Sequence, residues 1–137
     1  MAKKPKVALA RGKRKEAIAR ASVKSGKGRI TINGRDWKVY FPDPHFQLYL
    51  QDILDIIGKK LNKVDITINV KGGGPVGQLQ AVRTAIARGV VEYFGDESLE
   101  QQFDQYDKFV LTEDSRRVEP KKDRQKKARA KYQKSYR

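Results

Sequence analysis

Between residues 64 and 71 apolar and polar side chains alternate: Val64, Ile66, Ile68 and Val70 against Asp65, Thr67 and Asn69. Successive side chains of a strand point to opposite faces, so this run predicts a strand with one buried face. A weaker run of the same period sets Ala17, Ala19, Ala21 and Val23 against Ile18, Arg20, Ser22 and Lys24. Ser25-Gly26-Lys27-Gly28 reads as a turn and Arg29–Ile32 as a returning strand, so the two segments predict a β-hairpin, with order beginning at about Glu16. Asn33-Gly34 predicts another turn, because both residues tolerate positive φ. Trp37, Val39 and Phe41 then continue the alternation on one face, which makes Trp37 a core residue.

The period changes after Asp43-Pro44, an N-cap residue followed by a proline suited to the first helical position. Phe46, Tyr49, Leu50, Ile53, Leu54, Ile57 and Leu61 recur at helical spacing, with Gln47, Gln51 and Asp55 opposite. A second helix follows Gly72-Gly73-Gly74-Pro75-Val76-Gly77 and runs to about Phe94, with Leu79, Val82, Ile86, Val90 and Tyr93 on its apolar face. A short acidic helix near Ser98–Tyr106 is peripheral. The pattern predicts an α+β fold, a small mixed sheet of three or four strands with two main helices packed on one face. Val118 is the last large aliphatic residue, and a segment so poor in apolar surface stays extended or disordered until bound.

Charge divides the chain further. Lys and Arg number 31 against 16 Asp and Glu, a net charge of +15. Residues 1–29 hold eleven cations and one acid, and residues 115–137 eleven cations and two acids. The 85 residues between them are mildly acidic, with nine cations and thirteen acids. The expected organisation is a basic N-terminal arm over 1–14, a globular domain over 15–114 and a basic tail over 115–137. Such ends favour a polyanion, because each cation placed on a phosphate releases a condensed counterion. An anionic membrane would want a basic amphipathic helix, and the basic ends carry too few aliphatic residues to form one. No run approaches the length of a transmembrane span, the N-terminal sequence lacks a secretory apolar core, and there is no cysteine. An intracellular, cytoplasmic protein is the expectation.

Candidate catalytic chemistry is sparse. Gly72–Gly77 between a strand and a helix suits a phosphate, yet Gln78-Leu79 stands where a P-loop needs Lys-Ser/Thr, so a phosphate-handling enzyme is not expected. The loop either permits a tight reversal or touches an RNA backbone. Arg83 falls at the edge of the second helix's apolar face, snorkelling or paired with a carboxylate, and Arg88 falls nearly opposite, on the exposed side. His45 is the sole histidine, and Asp52 and Asp55 have no base or nucleophile beside them. No metal, cofactor or small-molecule substrate is expected. The tail, by contrast, interleaves Arg129, Lys131, Lys134 and Arg137 with Tyr132 and Tyr136, a pairing of phosphate-binding and base-stacking groups. Its 18 residues from Pro120 reach about 60 Å when extended.

Four stretches carry a family resemblance. They are Gly12–Ala21, with Gly26–Arg29 and Asn33-Gly34 beyond it; Gly72–Gly74 with Gly77-Gln78, Ala81, Arg83 and Ala85–Arg88; Arg116–Lys122; and Ala128–Arg137. Through them the chain closely resembles the universal small-subunit ribosomal protein nine family, in its archaeal and eukaryotic branch. The resemblance implies a fold like the second domain of ribosomal protein five, a place in the head of the small subunit beside other ribosomal proteins, and no catalysis. It implies ribosomal RNA contacts at Arg11, Lys13, Arg14, Lys15, Arg20, Lys27, Arg29, the Gly72, Gly73 and Gly74 loop, Gln78, Arg83 and Arg88. On the tail it implies them at Arg116, Arg117, Lys121, Lys122, Arg124, Lys126, Lys127, Arg129 and Lys131. It further implies that Lys134, Ser135, Tyr136 and above all Arg137 touch the anticodon stem-loop of peptidyl-site tRNA. Asp123–Lys127 departs from the glycine-rich segment usual in this branch, which bears on the tail's local path, and Ser115 stands where proline is common.

Overall fold

The computed structural model describes residues 6–131. Five strands form one sheet in the order β1-β2-β5-β3-β4: β1 (Val7–Arg14), β2 (Ala17–Ser25), β3 (Ile30–Ile32), β4 (Arg35–Asp36) and β5 (Val64–Lys71). All neighbours pair antiparallel except β3 with β5, so the sheet is mixed and the class is α+β. The helices are α1 (Trp37–Tyr40), α2 (Pro44–Ile57), α3 (Pro75–Phe94) and α4 (Glu97–Tyr106), with a 3₁₀ segment over Gly58–Lys63.

Two expectations are corrected. Residues 17–24 and 29–32 do not pair with each other; β2 lies between β1 and β5, and β3 pairs with the far side of β5. The true hairpin is β1–β2, closed by Lys15-Glu16, so the first strand starts at Val7 rather than near Glu16. Its period-two pattern is built from Ala8, Ala10 and Gly12, which are too small to stand out beside the lysines and arginines. The second correction concerns Trp37–Phe41, which forms a helical turn. Trp37 and Phe41 are buried four residues apart while Val39 is exposed, as a helix and not a strand would arrange them.

The small residues of β1 and β2 have a purpose in packing. α3 lies directly across these two strands, and a Cβ on Gly12 would come within 2.0 Å of the Ala81 carbonyl oxygen. Ala17, Ala19 and Ala21 face the same helix layer and are buried. On the other side of the sheet's midline Ile30, Ile32, Ile66 and Ile68 supply bulk to the core, together with Leu50, Ile53, Leu54 and Ile57 of α2. Asp43 caps α2 as expected, its carboxylate accepting the N–H of His45. Asp96 caps α4 in the same way through Ser98 and Leu99.

Among the described residues no helix covers the opposite face. Cross-strand register lays it out in rows: Lys13–Ile18–Lys71, Arg11–Arg20–Asn69, Leu9–Ser22–Thr67 and Val7–Lys24–Asp65. Arg11, Arg20, Lys24, Thr67, Asn69 and Lys71 are exposed. Residues 115–131 carry no helix or strand apart from one isolated bridge, Gln125 to Lys131.

Candidate nucleic-acid interface

β1 is an edge strand, and its outer side carries the chain that leads into the tail. Segment 107–117 is bound there by arginine side chains rather than by a backbone ladder. Arg88 donates to the carbonyls of Leu111, at 2.5 Å, and Arg11, at 2.9 Å, and meets the Glu113 carboxylate at 3.2 Å. Arg14 donates to Gln80 at 2.8 Å and to the Arg116 carbonyl at 2.6 Å, with Asp114 at 3.7 Å. Arg117 meets Glu16 of the β1–β2 turn at 3.2 Å. Arg116 folds back on Asp114 with three charge-assisted bonds of 2.7–3.0 Å, and this guanidinium holds the Asp114 carboxyl down to a pKa of about 2.

Arg83 lies deeper. It is 5% exposed, with Asp107 at 3.4 Å and the Tyr49 ring 4.6 Å from the guanidinium carbon. The choice left open for it in the sequence resolves to a carboxylate partner. A buried guanidinium needs such company, since desolvation of an unpaired charge costs several kcal/mol. Arg88 departs from expectation: it is not on an open helix side, because segment 109–113 covers it. The wide buried surface of α3, nearly continuous from Leu79 to Val90, arises because the helix packs on β1, β2 and α2 as well as under this segment.

The glycine loop reverses the chain tightly against the β1–β2 turn. Gly72 and Gly73 take φ of 76° and 67°, and a Cβ on either would meet backbone of Glu16 or Ala17 within 3 Å. Gln78 is occupied internally, its amide donating to the Gly72 carbonyl and its oxygen accepting from Tyr40. Gly74, the N-cap of α3, is the member of the trio that faces open space.

The remaining expected contacts fall into three places. Arg11, Lys13 and Arg20 stand on the open sheet face, where Arg11 also reaches Glu113 at 3.5 Å. Lys15 tips the β1–β2 turn with φ of 53°, and Lys27 and Arg29 lie in the β2–β3 loop, where their backbone N–H groups donate to Asp65 and lower its pKa. Lys121, Lys122, Arg124, Lys126, Lys127, Arg129 and Lys131 are exposed along the tail. Glu119 gathers Arg129 at 2.9 Å and Lys122 at 3.0 Å, which lowers its pKa. Lys134, Ser135, Tyr136 and Arg137 lie outside the described residues. Lys24 and Lys71 were not singled out from the sequence; their signal was their alternation with buried neighbours, which marks the open face.

Among the described residues no cluster of His, Cys, Asp or Glu could hold a metal ion, and no helix is long and apolar enough to cross a membrane. Among the described residues, a small mixed sheet, helices on one face only, and a cationic extension strapped to the sheet edge define a basic α+β protein with one open sheet face. The model of the ribosomal protein S9/S16 family matches residues 12–137, and the chain belongs to that family. It is 43% identical over 133 residues to the small ribosomal subunit protein uS9 of Pyrobaculum aerophilum, covering 97% of this chain and 93% of that one. The uS9 of Thermoplasma volcanium is 48% identical over 126 residues, covering 92% and 95%. This is a family of ribosomal proteins, not of enzymes.

Proposed function

We propose that this chain is a constituent of the small-subunit head that docks on ribosomal RNA and sends its tail to the anticodon stem-loop of peptidyl-site tRNA. The reading places it in the cytoplasm, beside neighbouring ribosomal proteins. The observation that carries it is the strap over residues 107–117. A free basic tail would leave the domain in any direction, whereas Arg14, Arg88 and Arg117 fix where this one departs. Beyond Arg117 the chain has exposed cations and a single large aliphatic residue, Val118, itself 82% exposed. Such a segment has little reason to fold back on the protein and strong reason to run along phosphates.

The test is deletion of residues 134–137 in small subunits assembled with the otherwise intact chain. Subunit assembly should be unchanged, because the domain and the strap remain. Retention of peptidyl-site tRNA should fall several-fold in filter binding. Equal tRNA affinity with and without these four residues would sink the assignment of the tail's end.

A further inference from the structure

We infer that the helix-free face of the sheet binds the sugar-phosphate backbone of double-helical RNA, across its minor groove. This rests on the reading of the chain as an RNA-docking protein and names the surface and the form of RNA involved.

Three observations converge on the face. The first is its charge. Arg11 and Arg20 stand directly opposite each other across β1 and β2, and Lys13 and Lys71 flank Ile18 in the next row. Like charges in directly opposed positions cost a sheet stability, and while Glu113 meets Arg11 at 3.5 Å, nothing among the described residues offsets Arg20 or Lys71. Arg20, Lys24 and Lys71 have no ion pair or side-chain hydrogen bond among the described residues. Other cations of the domain do: Arg14, Arg83 and Arg88 are all engaged internally.

The second observation is what stands between the cations. Ser22, Thr67 and Asn69 supply hydroxyl and amide groups that can donate to or accept from a ribose 2′-hydroxyl. An acidic protein partner would meet cations as well, but the face's aliphatic side chains, Val7, Leu9 and Ile18, stand singly in separate rows among polar and charged groups, with no aromatic beside them. Protein interfaces are built around buried apolar or aromatic centres.

The third is an absence of aromatic side chains in these rows. Recognition of unpaired bases relies on stacking platforms, and this face has none. A paired helix presents a wide, shallow minor groove lined by 2′-hydroxyls and flanked by phosphates, which a flat polar sheet can meet. Readout is therefore of shape and backbone and not of sequence.

The experiment compares the full-length chain with R20E/K71E. Fluorescence anisotropy is read with a labelled RNA hairpin stem, a DNA duplex of the same sequence and a uridine single strand of equal length. The wild type should bind the RNA stem more tightly than the DNA duplex, and the double variant should lose at least tenfold on the RNA stem while losing less on the single strand. R20E places a carboxylate opposite Arg11, so its thermal midpoint should equal or exceed that of the wild type. Backbone amide shifts on adding the stem should concentrate at Arg20, Thr67 and Asn69. Unchanged stem affinity in the folded double variant, equal losses on all three probes, or amide shifts confined to the tail would each overturn the inference. Wild-type protein that bound no RNA at all would instead overturn the underlying reading of the chain's function.

Discussion

Asp114 sits between two guanidinium groups, and its chemistry makes the strap sensitive to acid. The bonds from Arg116 hold its folded pKa at about 2, below the ordinary value of 3.8. A carboxylate depressed in this way contributes stability that is complete above the unfolded value and is lost as pH falls through the folded one. The Arg14–Asp114–Arg116 cluster should therefore be intact at neutral pH and loosen between about pH 4 and pH 2. Carboxyl carbon shifts followed by NMR should give Asp114 a midpoint near 2. The amides of residues 114–117 should lose exchange protection over the same interval, before the core strands do. An Asp114 midpoint close to 4 would mean that the arginine contacts are not formed in solution. Lysine could not replace these arginines on equal terms, because Arg14 and Arg88 each bond two or more acceptors through one planar fork.

At the scale of elements, α3 packs tightly on β1, where Gly12 lets the helix backbone approach. Gly12→Ala should cost about 2–3 kcal/mol, because the atoms it meets are backbone carbonyl and amide rather than a movable side chain. Urea unfolding should show a lower midpoint with an unchanged slope, and a loss below about 0.5 kcal/mol would mean that α3 can slide away. The same contact explains what the sequence made legible. β5, α2 and α3 were readable because their buried positions hold large aliphatic residues at an unbroken period. β1 was not, because its buried side is Ala8, Ala10 and Gly12, chosen for closeness rather than bulk, while lysine and arginine dominate its exposed side. The pairing of β2 between β1 and β5 is a long-range matter that local turn signals at Ser25–Gly28 misreport. The same limit applies to the site: the pattern located Arg83 and Arg88 on α3, but only the path of residues 107–113 determines that both are covered.

For the whole molecule, the two sets of cations should make separable contributions to RNA binding. If about eight cations meet phosphates, the log–log dependence of affinity on salt should have a slope of roughly −6 to −7. Truncation after Arg117 removes nine cations, from Lys121 to Arg137, and leaves the strap of residues 107–117 in place. The domain should stay folded, since residues 118–131 contribute nothing to its buried core. Its slope on an RNA stem should then fall to about −3 to −4, set by the four or five cations of the sheet face. Adding R20E/K71E to the truncated chain should bring it to about −2. A tail that contacts RNA only incidentally would leave the truncated slope near that of the full chain. A domain that relies on the tail for all its affinity would show no measurable binding once the tail is gone. The intermediate slope is the signature of a protein that docks by one surface and extends along RNA with another, and equilibrium titrations from 50 to 300 mM salt would separate these three outcomes.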